Sequence, residues 1–378
     1  MSELINQNRR SFRWQLLTTV SALSLGIAIS AHAEPSDKPS VWIELGGQLE
    51  RIDGKEDPYL PPFTTLSSIP GPYSKISPSE AQKASIYSYG AEGKITFQPH
   101  GSKWDFTAGI RYGRSSNNKH THEQTTLTTT FPNPRNGGVP AILTNAAPQF
   151  ADFRVKNAES HTVLDFQAGR DVGLGVFSYT ASFGIRVADF SSTSQVNIIA
   201  RPNVVFHRHN RGLPGKYYQS PSHNDYKAFA DNQRNFHGIG PSLAWNGNVR
   251  VLGDEDGGVT FDWGANAAVL FGRQKAKGLH QESAYFESSN VKTFAAAPYG
   301  AVILYNRPPL LHDRSRSIVV PNVGGLAGIS FRYPGTKVSF GYRADFFFGA
   351  MDMGIDARNT KDRNFYGPFA TVSIGLGG

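Results

Sequence analysis

Residues 87–112 read YSYGAEGKITFQPHGSKWDFTAGIRY, and their alternation decides the fold. Tyr87, Tyr89, Ala91, Gly93, Ile95 and Phe97 share one face of an extended chain, and Ser88, Gly90, Glu92, Lys94, Thr96 and Gln98 share the other. Pro99 to Lys103 turn the chain. Beyond the turn Trp104, Phe106, Ala108, Ile110 and Tyr112 oppose Asp105, Thr107, Gly109 and Arg111. One face is apolar; the other carries Glu92, Lys94, Asp105 and Arg111. A soluble sandwich buries such an apolar face and a membrane barrel turns it to lipid, so one hairpin leaves both open.

The spacing of similar segments separates the two. Ten of them read as strands, near 41–51, 85–98, 104–115, 161–170, 179–190, 236–252, 259–273, 318–333, 337–350 and 364–376. The connections at 99–103, 171–178, 253–258 and 334–336 are short, whereas those near 52–84, 116–160, 191–235, 274–317 and 351–363 are long and polar. Short turns at one end and long loops at the other are the pattern of outer-membrane barrels, which also have an even strand count. A sandwich gives no reason for the alternation, and long structureless loops count against a compact soluble domain. The expectation is an all-β fold, a transmembrane antiparallel β-barrel of about ten strands with long external loops and short periplasmic turns. Eight or twelve strands stay open, because 115–160 and 191–235 have room for further extended segments.

Two more hairpins repeat the pattern. Phe261, Trp263, Ala265, Ala267, Val269 and Phe271 oppose Thr260, Asp262, Gly264 and Asn266. Around the turn Pro334-Gly335-Thr336, Ile329, Phe331, Tyr333, Val338, Phe340 and Tyr342 face one way and Ser339, Gly341, Arg343, Asp345 and Phe347 the other. Aromatic residues gather near segment ends, as interfacial girdles require.

Composition agrees. The chain has 378 residues with 39 Gly, 23 Pro and no Cys, which excludes disulfides, thiolate metal sites and a cysteine nucleophile. The formal charge of +8 is scattered rather than packed into a stripe, so nucleic acid is not an expected partner. Arg9, Arg10 and Arg13, the apolar run Leu16 to Ile29, and Ala31-His32-Ala33 read as a cleavable signal peptide over residues 1–33. The barrel is then expected to span residues 34–378, in the outer membrane of a Gram-negative cell.

Several blocks resemble a known family. VWIELGGQ (41–48), LDFQAGRDVGLG (164–175), NFHGIGP (235–241), SFGYRADFFFGA (339–350) and NFYGPFATVSIGL (364–376) resemble, in order, blocks of the Legionella-type pore-forming major outer-membrane protein family. The resemblance implies an outer-membrane β-barrel with pore activity, inserted by the barrel-assembly machinery. The ending Leu376-Gly377-Gly378 departs from the terminal aromatic which that machinery reads in many barrels.

Alternation assigns the lumen. Glu44, Glu92, Asp105, Asp165, Asp262 and Asp345 are expected to point inward with Lys94, Arg111, Arg186, Arg250, Arg332 and Arg343. Such charges either tune which ions pass through a wet pore or pair with one another to fill a narrow barrel. The expected function is passive passage of small hydrophilic solutes or ions, without cofactor or metal and without catalysis. The alternative is a filled structural or surface-binding, adhesin-like barrel, with a rim hydrolase third. His120 with His122, and His207 with His209, are H-x-H pairs without a carboxylate placed beside them, so solvated loop histidines are the better reading. Asp352, Asp356 and His161 are the residues a rim hydrolase would use, and no nucleophile-elbow motif accompanies them. Arg201, Arg208, Arg211, Lys216, Lys227 and Arg234 form a basic loop that suits lipopolysaccharide phosphates. Lipid and lipopolysaccharide are the expected neighbours, and oligomerisation is left open.

Overall fold

A computed structural model describes residues 41–376 apart from 55–56, 62–77, 84–86, 101, 134–140, 173–177, 210–217, 254–256 and 289–300. The signal-peptide expectation therefore lies outside the described residues. The strands are β1 (Val41–Asp53), β2 (Tyr87–Phe97), β3 (Trp104–Asn133), β4 (Ala141–Asp171), β5 (Ser178–His209), β6 (Tyr218–Gly253) and β7 (Gly258–Ser288), followed by β8 (Ala301–Asn306), β9 (Leu310–Tyr333), β10 (Thr336–Asp352) and β11 (Thr360–Leu376). One turn of helix, α1 (Pro78–Ala81), interrupts them.

Every pairing is antiparallel, and the order closes on itself: β1 to β7 in sequence, then β9, β10 and β11, which returns to β1. Val41 opposite Leu376 brings the first and last strands together. β8 continues the line of β9 along the same edge of β7, beyond a break at residues 307–309. The ring thus has ten strands, and closure leaves no unpaired backbone edge in lipid.

Side-chain alternation follows from the pleat, and the outward set is the apolar one. Phe97, Phe106, Phe166, Phe183, Leu243, Phe261, Ile329, Phe331, Phe340 and Ile374 are all exposed. A belt of that extent far exceeds the apolar patches soluble proteins tolerate, so its natural solvent is hydrocarbon. The short turns fall where the sequence puts them. At the tightest, Gly335 has φ +67, a left-handed conformation that favours glycine.

The strands run much further at the other end than the sequence suggests. The expected loop limits at 115, 161, 190, 236, 273 and 318 all lie inside strands, because β3 to β7 and β9 continue as projecting hairpins. Their wall keeps the same period but inverts its polarity. In β4, Phe166 faces out and Asp165 in, whereas ten or so residues higher Lys156 faces out and Val155 in. In β5 the pair Ile185 out and Arg186 in becomes Gln195 out and Val196 in. β7 changes between Phe271 and Arg273 on the outside, and β9 between Val319 and Ser317. The level of inversion is shared by neighbouring strands and marks where the apolar belt ends.

Candidate functional site: the lumen

Near the short turns the inner face builds a charged chamber. Lys94 of β2 pairs with Glu44 of β1 at 2.9 Å, and Ser373 donates to the same carboxylate at 2.9 Å. Asp262 of β7 pairs with Lys337 of β10 and accepts from the Ser330 hydroxyl at 2.6 Å. Below them lies a vestibule of about 400 Å³, lined by Asp105, Lys103, Asp171 and Arg332 among others.

One level up, ion pairs lace the barrel from wall to wall. Arg343 of β10 pairs with Glu92 of β2, its guanidinium 4.8 Å from the Phe369 ring centre. Arg111 of β3 pairs with Asp345 of β10 and lies 3.9 Å from Asp165 of β4. Arg186 of β5 grips Asp165 with two bonds of 2.7 and 3.0 Å, and its third nitrogen donates to Asn266, at 2.7 Å, and to Asn322. Such fork-to-carboxylate contacts fix geometry as well as charge. Small residues make the room: a Cβ on Gly324 would sit 2.2 Å from the Asp345 carboxylate.

Above this network the lumen turns apolar. Phe190 of β5, Phe236 of β6, Leu270 of β7, Val320 of β9, Phe347 and Met351 of β10 and Phe365 of β11 form one buried cluster with Met353. Phe190 meets Phe347 at 4.8 Å and Phe365 at 5.4 Å between ring centres, contacts made across the barrel. None of these eight side chains is more than 4% exposed. The cluster is a septum. Two polar contacts flank it: His161 to Glu50 at 3.3 Å, and Arg363 to Glu159 at 2.6 Å.

Nine of the expected lumen residues thus join ion pairs: Glu44, Glu92, Lys94, Arg111, Asp165, Arg186, Asp262, Arg343 and Asp345. Asp105 and Arg332 line the vestibule instead. Arg250 stands opposite the buried Thr260 in the β6–β7 register, exposed at the turn end beside a break in the ladder, and among the described residues no ion pair includes it. Lys337 and Glu50 were missed although both sit on faces already read as inward. Glu159 and Arg363 were missed because both fall in segments expected to be loops.

The other candidates are placed as follows. His120 and His122 stand on β3 rather than in a loop; register sets Asp152 of β4 opposite His122 and Arg154 opposite His120, and the Asp152 carboxylate lies 2.9 Å from His120 and 3.3 Å from His122. Burial alone would raise the Asp152 carboxyl, but hydrogen bonds from both histidines and the charges of His120 and Arg154 outweigh it and hold it below its ordinary value. The side chains of His207, His209, Arg208, Arg211 and Lys216 lie outside the described residues. Arg201 is paired with Asp225 at 2.5 Å and Arg234 is buried on the inner wall, so the expected basic loop is not one surface patch. Asp352 accepts from Arg314 at 3.0 Å and from the backbone of Gly354 and Asn359, a role in shaping the 353–359 loop.

The chain is a closed ten-stranded β-barrel of the outer-membrane type. No family model and no curated protein matches it. Among solved structures it is similar to the transport unit of the autotransporter AIDA-I from Escherichia coli (10% identity, 95% of this chain and 97% of that one, TM-score 0.23). It is also similar to a mutant of the monoaromatic hydrocarbon channel TodX (9% identity, 89% and 90%, TM-score 0.16). A third is outer-membrane expressed OmpT of Vibrio cholerae (8% identity, 91% and 99%, TM-score 0.14). The barrel assignment rests on the ring of strand pairings and not on these likenesses.

Proposed function

We propose that this protein is an outer-membrane barrel that is shut at rest and presents its projecting wall at the cell surface. The septum is the observation that carries the reading. A hydrated ion or sugar entering from the vestibule meets Phe190, Phe236, Phe347 and Phe365 in a buried apolar cluster whose rings touch across the lumen. Stripping its hydration against these apolar rings costs many times thermal energy. The apolar belt supports the outer membrane as location, with lipid and lipopolysaccharide as neighbours, and the reading gives the protein no catalytic step.

A second reading has one observation in its favour. The charged chamber is polar down to the vestibule, which suits the passive pore that the family resemblance implies. A pore then requires the septum to part, and its β10 portion sits where the β10–β11 ladder breaks, between Phe347 and Met351. Planar-bilayer recording of refolded, heat-modifiable protein separates the two. The closed reading expects silence from the natural chain and stepwise conductance from Phe190→Ala/Phe347→Ala, with an ion preference that changes when Arg343→Glu is added. Steady unit conductance from the natural chain overturns it in favour of the pore.

A further inference from the structure

At the outer mouth of the barrel three ligating side chains meet. His280 of β7 and His312 of β9 project from the inner wall with their rings stacked 5.6 Å apart, and Asp356 reaches them from the 353–359 loop. His280 Nε2 is 2.7 Å and His312 Nε2 3.1 Å from the same Asp356 oxygen, and all three ligand atoms lie within 4.8 Å of one another. We propose that His280, His312 and Asp356 bind a divalent transition-metal ion of the zinc class, with a coordination position open to the exterior.

Proton accounting at His280 supports this. The ring is 2% exposed and sits between two carboxylates, with Nδ1 2.6 Å from Glu282 and Nε2 2.7 Å from Asp356. A neutral imidazole has one N–H and can donate to only one of them. A cation at Nε2 removes the conflict: Nδ1–H donates to Glu282, and the Nε2 lone pair and the Asp356 oxygen both face the metal. Carboxylate behind histidine is the usual arrangement that fixes the tautomer of a metal-bound ring. Glu282 is itself anchored, accepting from the Tyr59 hydroxyl at 2.5 Å.

His312 supplies a second, independent observation. Its Nε2 is buried yet makes no hydrogen bond, because the contact to Asp356 lacks the geometry for one. An aimed, buried and unpartnered nitrogen is what a metal-ligand position presents. The loop that brings Asp356 is held by Arg314, whose guanidinium donates to the carbonyls of Ile355 at 2.8 Å and Gly354 at 2.8 Å. Zinc bonded at about 2.0–2.1 Å spaces tetrahedral ligand atoms about 3.3 Å apart, so Asp356 retreats by roughly half an ångström while the two imidazoles adjust around the ion. Asp356 is 65% exposed, which leaves the open position to water and whatever dissolves in it.

Zinc chloride titrated calorimetrically into the untagged, full-length protein in detergent tests the site. One zinc per chain is expected at the mouth, with affinity falling at least 100-fold in His312→Ala and in Asp356→Ala and about 10- to 100-fold in Glu282→Gln. Cobalt should give a visible absorption band that Asp356→Ala removes. His122→Ala, which dismantles the surface cluster on β3, should leave this binding unchanged. Zinc-silent protein that is heat-modifiable and folded overturns the proposal, as does binding lost in His122→Ala but kept in His312→Ala and Asp356→Ala.

Discussion

The belt and the projecting wall are built from the same strands with opposite polarity. In the belt Phe166, Phe183 and Phe261 face outward while Asp165, Arg186 and Asp262 face the lumen. In the wall Phe153, Val155, Val196 and Ile198 face inward, closed over by Tyr59, Ala81 and Ile355, while Arg154, Lys156 and Gln195 meet water. Solvent explains the difference. Hydrocarbon outside the belt rewards an apolar exterior and leaves the lumen to polar groups that must satisfy one another. Water outside the wall restores the ordinary arrangement of an apolar core behind a polar face. The septum sits at the seam, where the inner face has begun to turn apolar.

The largest expected effect tests the belt's interior. Asp345→Lys sets a fourth cation among Arg111, Arg186 and Arg343, and breaking a buried pair of this kind costs about 3–5 kcal/mol. Loss of the heat-modifiable, compact band on gels should follow. An equally stable variant would mean that the network is wet and forgiving.

Next comes the wall's core. Ile198→Ala should cost about 2–5 kcal/mol locally, read as faster amide exchange in β4 to β6 above the seam with the belt amides still protected. Uniform loss of protection would show that belt and wall unfold as one unit. Outward positions sharpen the contrast further. Phe340→Arg, in the belt, should destabilise by about 2–4 kcal/mol in bilayers, whereas Gln281→Arg, on the wall's exterior, should change stability by less than about 0.5 kcal/mol.

The smallest effect is pH-dependent. Asp152 is held below its ordinary value in the folded chain, so its contribution is present above the unfolded value of about 3.9 and fades as pH falls through the lower folded one. Amide exchange at Phe153 and Thr121 should rise below about pH 4, and Asp152→Asn should abolish that acid response.

The belt was largely legible in the sequence because a single rule governs it. Lipid forces outward Phe and Trp against inward charges, so Tyr87 to Tyr112 reveal the faces, the turn and four lumen charges at once. The wall obeys the same period with its polarity shifted by one residue, and a search for apolar-out strands ends at Ser115 and resumes at His161. Phe347 was readable as inward, but the septum needs Phe190, Phe236 and Phe365 to converge from three other strands, and only closure of the ring brings them together. His280, His312 and Asp356 stand on separate elements with no motif spacing, so no local pattern could have joined them.

The chain's lack of cysteine makes the seam directly measurable, since any introduced cysteine is unique. Single cysteines at Ile185, Phe271 and Val319 should resist a water-soluble thiol reagent on intact cells and be quenched by a lipid-confined probe. Cysteines one step beyond the seam, at Asp189, Arg273 and Ser317, should react with the water-soluble reagent. Fast aqueous labelling at Val319 together with protection at Ser317 would contradict the inversion, and with it the division of this barrel into belt and wall.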